Sequence, residues 1–239
     1  MLQTYDPMKV NITYNNRQLR MFGDSMFTLA RDEDNVTLKK GVKGDSTYIL
    51  NANKAGKLTN ARKELDNGLS AWNLAMGSQE LYDWLDAEPQ LFHPGDLDYI
   101  HSVERISKLS NVISINGGVQ LDLMGQENAE SVGTRQLSGI GGQMDFLEGA
   151  FRSKGGKGFI CINSSRVTKD GQRKSNILAT IPGGSTISAP RTMIQYVATE
   201  YGIASLSGKT LRERAEAMAS IAHPDFREEL LKYARENFK

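Results

Sequence analysis

The sequence predicts an α/β fold, an open sheet with flanking helices, preceded by a short β-rich N-terminal segment. Three observations carry this. The chain changes character near residues 56–60, from short strand-and-turn patterns to mixed α/β patterning. The run Phe159-Ile-Cys-Ile162 is continuously apolar, as in a strand buried on both faces. Towards the C-terminus, two stretches place apolar residues at helical spacing.

The elements follow in chain order. Val10-Asn-Ile-Thr-Tyr14 alternates apolar and polar residues like a half-buried strand, Asn15-Asn16 supplies a turn, and Met26-Phe-Thr-Leu29 is a second strand. Lys39-Lys-Gly-Val-Lys-Gly-Asp45 is polar and glycine-containing, the composition of a hairpin tip. Leu81, Trp84 and Leu85 share one helical face, with Ser78 as N-cap, and Pro89 and Pro94 interrupt any longer helix. Val112-Ile-Ser-Ile115 is a short buried strand. Val119-Gln-Leu-Asp-Leu123 alternates like a strand with one wet face. Ile187 falls in a further short strand, whereas residues 192–199 suit either element type. Residues 211–221 form an amphipathic helix with Leu211, Ala215, Met218 and Ala222 inward. A last helix covers about residues 225–237, with Phe226, Leu230 and Tyr233 inside.

Composition bounds the function. The 239 residues are 39% hydrophobic and 24% charged, enough apolar material for a sizeable core. A net charge of +1 provides no global field to attract nucleic acid or an acidic membrane. No apolar stretch approaches the roughly 20 residues that span a bilayer. The first residues carry no basic segment followed by an apolar one, so a cytoplasmic location is expected. The single cysteine, Cys161, lies in the apolar run and suits a buried structural thiol better than a nucleophile.

Glycine loops are the strongest chemical signal. In Gly133-Thr-Arg-Gln-Leu-Ser-Gly-Ile-Gly-Gly-Gln-Met-Asp-Phe146, Gly139, Gly141 and Gly142 permit positive φ and close backbone approach to a ligand. Exposed amides in such a loop hold a phosphate or an oxyanion; a tight turn between strands is the alternative. The loop lacks the Gly-Lys-Ser/Thr of a P-loop and the spacing of a dinucleotide fingerprint. In Ser153-Lys-Gly-Gly-Lys157, Lys154 and Lys157 either meet phosphates or solvate a loop tip. His93, His101 and His223 have no metal-ligand spacing, and His223-Pro-Asp225 reads as a helix start.

From residue 58 onward the chain resembles the C-terminal half of the acetyl-CoA hydrolase/transferase family, in the style of its 4-hydroxybutyrate and butyrate:acetate CoA-transferase branch. Leu58-Thr-Asn-Ala-Arg-Lys63, Leu121-Asp-Leu-Met-Gly-Gln126, Ser138-Gly-Ile-Gly-Gly-Gln-Met-Asp-Phe146, Thr199-Glu-Tyr-Gly-Ile203 and Ile221-Ala-His-Pro-Asp-Phe226 carry the resemblance, in family order and spacing. It implies a CoA-transferase-like open sheet over residues 58–239 and acyl-CoA and a short-chain carboxylate as substrates. It also implies a complementary family half or a second copy as partner, and no permanently bound cofactor. In such enzymes a glutamate attacks the acyl-CoA thioester, splitting one difficult transfer into easier steps. By position, Val119 and Gly142 match family residues that contact CoA. The loop around Gly139 and Gly141 would face the thioester, and Lys154 and Lys157 are phosphate candidates.

The chain departs from the family at the nucleophile. No Gly-Val-His-(Ser/Thr)-Glu-like motif precedes Leu58; Lys43 or Arg20 falls at that position, with Asp45 nearby, so no catalytic residue is assigned. The family's N-terminal half has no room in the chain. Residues 1–57 instead resemble the opening of a tail tube protein from contractile-tailed phages, through Thr4-Tyr-Asp-Pro7, Gly23-Asp24 and Arg31-Asp-Glu-Asp34. The chain therefore reads as a natural fusion, a mis-joined gene or an artificial sequence. The expected function is the C-terminal domain of an acyl-CoA transferase or hydrolase with little activity alone. The alternatives are a non-catalytic CoA-binding module and a tail structural protein acting through residues 1–57.

Overall fold

The computed structural model describes four N-terminal strands by their backbone, then residue 50, residues 53–75 and residues 78–238. The chain divides into two compact units, Met1–Ser102 and Val103–Lys239.

In the first unit, β1 (Val10–Tyr14), β2 (Arg17–Met21), β3 (Phe27–Asp32) and β4 (Asn35–Lys40) form one sheet in the order β1-β2-β4-β3. β1–β2 and β3–β4 are antiparallel, with Val10 opposite Met21 and Phe27 opposite Lys40, and β2–β4 is parallel. Lys39 and Lys40, the start of the expected hairpin tip, are the last residues of β4. Asn15-Asn16, Met26 and Gly41 through Asp45, including candidate positions Lys43 and Asp45, lie outside the described residues.

Further along, β5 (Ser70–Trp72) and β6 (Phe92–Pro94) pair in parallel. Helix α1 (Gln79–Ala87) starts where expected, with the Ser78 hydroxyl accepting from the Leu81 amide. Its apolar face meets Phe92, whose ring lies edge-on to Trp84 at 4.7 Å and to Trp72 at 6.4 Å. Helix α2 (Leu97–Ile100), capped by Asp96, follows.

The second unit begins with α3 (Val103–Lys108). Its main sheet has the order β7 (Ile113–Gly117), β12 (Lys157–Cys161), β16 (Tyr196–Thr199), β17 (Gly202–Ser205). β7, β12 and β16 are parallel, and β17 adds an antiparallel edge. β12 is the interior strand its unbroken hydrophobicity predicts, with Phe159, Ile160 and Cys161 buried between two parallel neighbours. Parallel strands need a crossover, and between β7 and β12 it includes α4 (Gln143–Arg152). Gly149 lets α4 close on α3, since a Cβ there would lie 2.4 Å from a methyl carbon of Ile106.

Between β7 and β12 lie β8 (Gln120–Asp122), β9 (Glu127–Asn128), β10 (Ser131–Val132) and β11 (Arg135–Gln136). β10 and β11 form a short antiparallel hairpin. A second hairpin, β13 (Ser165–Val167) with β14 (Arg173–Ser175), leads to β15 (Ile177–Leu178), which joins β8 and β9 in a small sheet ordered β15-β8-β9. Every residue of β8 is buried, so its expected wet face does not exist. Asp122 is buried because its carboxylate accepts from the Gln126 amide and side chain at 2.9 and 2.7 Å. Ile187 is exposed and outside any strand, and the segment makes one isolated β-bridge, Glu127 to Ala189.

Helix α5 (Leu211–Ser220) opens on a capping box between Thr210 and Glu213. Ala215 and Met218 point inward as expected, but Leu211 in the first turn is 40% exposed. Arg214 is buried in its stead, donating to the carbonyls of Met124, Leu206 and Arg191 at 2.7–2.8 Å. Helix α6 (Pro224–Asn237) buries Leu230 and Ala234 and starts at His223, whose ring accepts from the Asp225 amide. The core combines Leu121, Leu147, Ile160, Val197, Leu206 and Met218.

Candidate active site

The glycine loop leads directly into α4. Gly139 and Gly141 are exposed, and nothing lies within 4 Å of where a Cβ would sit on either. Gly141 has φ +60°, the left-handed region that favours glycine. Gly142 is the N-cap of α4, and no side chain caps the helix. The first amides of α4 therefore face the loop without an N-cap side chain, the helix dipole adds partial positive charge there, and Asp145 places an acidic group in the same first turn.

Two further segments are tied to this loop. The Glu130 carbonyl accepts from the amides of Leu137 and Ser138 at 2.7 and 3.3 Å, and Gln136 Nε2 donates to the Ser138 carbonyl at 2.6 Å. The Ser188 hydroxyl donates to the Glu130 carboxylate at 2.6 Å, and the Thr186 amide donates to Ser131 Oγ at 2.9 Å. Buried Asn128 closes the turn from beneath by accepting from the amides of Glu130 and Ser131. These segments also carry Val132, Leu137, Ile140 and Ile187, large apolar side chains exposed to solvent.

Val119 lies between β7 and β8, half-buried, with its amide bonded to the Asn128 carbonyl at 2.9 Å. Gly118 beside it packs against Glu127: a Cβ at 118 would lie 3.1 Å from Glu127 Oε1. Glu127 Oε2 in turn accepts from Gln143 Nε2 at 2.6 Å. The Glu127 carboxyl thus lies between Gly118, the neighbour of Val119, and Gln143, the neighbour of Gly142.

Lys154 and Lys157 lie elsewhere. They follow the C-terminal end of α4, and ten helical residues rise about 15 Å from the glycine loop. Lys157 is the first residue of β12 and donates to the Gly155 carbonyl at 3.0 Å. The lysines and the glycine loop flank opposite ends of one helix.

Glu127 is the residue that sequence reasoning missed. It is fully buried, and burial, with the Glu130 charge adding to it, pushes its carboxyl up to about 8 against the opposing Gln143 hydrogen bond. Its Oε1 has no hydrogen-bond partner. The signal was an acidic residue inside Met-Gly-Gln-Glu-Asn-Ala, a segment otherwise without charge. Cys161 is the buried thiol expected of it, and burial pushes it up to about 12.

The arrangement has known counterparts. RipA from Yersinia pestis is 38% identical and superposes with a TM-score of 0.71 over 79% of this chain and 41% of its own. A 4-hydroxybutyrate CoA-transferase from Porphyromonas gingivalis is 36% identical, with a TM-score of 0.65 over 80% of this chain and 43% of its own. The class is therefore an open α/β fold of the CoA-transferase type. The model of the acetyl-CoA hydrolase/transferase C-terminal domain matches residues 77–234, and the chain belongs to that family. Butyryl-CoA:acetate CoA-transferase of Anaerostipes caccae is 45% identical over 181 residues, 76% of this chain and 40% of the relative. The chain spans less than half the length of these relatives. The division into compact units after Ser102 falls inside the stretch that resembles the family.

Proposed function

We propose that this chain supplies an acyl-CoA-binding surface for CoA transfer between a short-chain acyl-CoA and a carboxylate. The observation that carries the reading is the uncapped start of α4 behind Gly139, Gly141 and Gly142. A phosphate, or the oxyanion that develops on the thioester oxygen when a nucleophile adds to its carbonyl, gains from those amides and from the helix dipole. The exposed Val132, Leu137, Ile140 and Ile187 offer apolar area beside the same loop for the pantetheine or acyl portion. Relatives named as butyryl-CoA:acetate and 4-hydroxybutyrate CoA-transferases support the substrate class. Lys154 and Lys157, at the far end of α4, remain candidates for the distal phosphates.

Turnover by this chain alone is expected to be low, since its sequence has no Gly-Val-His-(Ser/Thr)-Glu-like motif. A partner carrying the complementary family half would complete the site. Calorimetry with CoA and butyryl-CoA, beside a transfer assay to acetate, tests this. Binding with little turnover is the expected result; no binding removes the proposal.

A further inference from the structure

We infer that Glu127 is a positioning residue of the acyl-CoA site, its carboxyl tying the start of α4 to β9 beside Gly118. The inference rests on the acyl-CoA reading above.

Four observations carry it. Glu127 sits in β9, and its backbone amide and carbonyl are both bonded to the Ser188-Ala189 segment. Its amide donates to the Ala189 carbonyl at 3.0 Å, and its carbonyl accepts from the Ser188 amide at 2.8 Å. Its side chain therefore leaves a rigid base. One carboxyl oxygen takes the Gln143 side chain at 2.6 Å, and Gln143, the first residue of α4, is itself buried. The other oxygen lies against Gly118, where a Cβ would come within 3.1 Å of both it and Ile160. Finally, α4 has no side-chain N-cap, and Gln143 ties its first residue to Glu127.

Charge decides the form in which this tie works. A fully buried carboxylate with an unpartnered oxygen is far more costly than the protonated acid. Gly118 and Gln143, which face the carboxyl, carry no charge; the Glu130 carboxylate is the charged group acting on it, and it opposes ionisation. Ionised Glu127 would also place a negative charge beside the amides proposed to receive an anionic ligand. The neutral form holds the loop and leaves its field available to CoA. With a midpoint of about 8, that form dominates at pH 7 and is largely lost by pH 9.

The test is CoA binding by the full chain at pH 7, 8 and 9, with Glu127→Gln and Glu127→Leu beside the wild type. The wild type should lose roughly threefold or more in affinity from pH 7 to pH 9. Glu127→Gln keeps an acceptor for Gln143 and cannot ionise, so it should bind like the wild type at pH 7 and stay flat to pH 9. Glu127→Leu fills the volume without an acceptor and should bind about fivefold more weakly at every pH. Gln rescue of affinity together with a flattened profile is what a merely space-filling role would not produce. Coincident profiles for wild type and Glu127→Gln, or unchanged affinity in Glu127→Leu, overturn the inference while the acyl-CoA reading stands. A wild-type chain that binds no CoA at any of these pH values overturns both.

Discussion

Glu127 links residue chemistry to stability as well as to binding. Its carboxyl titrates at about 8 in the folded chain against an ordinary value of 4.5, so the folded state holds the proton more tightly. The associated stability is complete below about pH 4.5 and is lost as pH rises through about 8. The shift corresponds to on the order of 5 kcal/mol across that window. Urea midpoints of the wild type should therefore fall from pH 5 to pH 9, and Glu127→Gln should remove most of that fall. An unchanged pH dependence in the variant would show that Glu127 is not the titrating group. Cys161 makes a second residue-scale prediction. Its buried thiol, pushed up to about 12, should resist a thiol reagent at pH 8 in the native protein and react promptly in denaturant.

At the scale of elements, two helix features set local stability. Thr210 and Glu213 close a reciprocal capping box at the start of α5, so Thr210→Ala should cost about 1 kcal/mol in chemical denaturation. Gly149 is the contact at which α4 meets α3. Adding a methyl there drives it into Ile106, and Gly149→Ala should cost about 1–3 kcal/mol. Pairing it with Ile106→Ala should recover part of that loss, since the second change removes the atoms that clash. A Gly149→Ala protein as stable as the wild type would mean that the two helices separate freely.

For the whole molecule, the second compact unit, residues 103–239, holds its own parallel sheet, its own core and all six positions predicted to contact CoA. Expressed alone, it should fold cooperatively and keep the CoA affinity of the full chain within about threefold. A large loss would assign part of the binding surface to residues 1–102. The N-terminal strands β1–β4 bear on the resemblance of residues 1–57 to tail tube proteins. A four-stranded sheet of this size does not close a barrel by itself. Sedimentation of the full chain as rings or tubes would favour that reading over a CoA-site role for the whole chain.

Much of this was legible in the sequence because it depends on local patterning. The Ser78 cap, the helices α1, α5 and α6, and the interior strand β12 follow from spacing and side-chain type within a dozen residues. The family was legible because its glycine-loop motif is long and specific. The misreadings arose where distant segments decide burial. β8 lost its expected wet face, with Asp122 buried against Gln126, and Leu211 yielded its inward place to Arg214, which found three backbone carbonyls from separate segments. The sequence by itself determined the α/β class, the main helices and the glycine loop, since periodicity and glycine content act over short range. Only the tertiary structure brought Glu127 between Gly118 and Gln143 and left Lys154 and Lys157 at the other end of α4. Burial and electrostatic coupling depend on which chain segments meet, and no local pattern encodes that meeting.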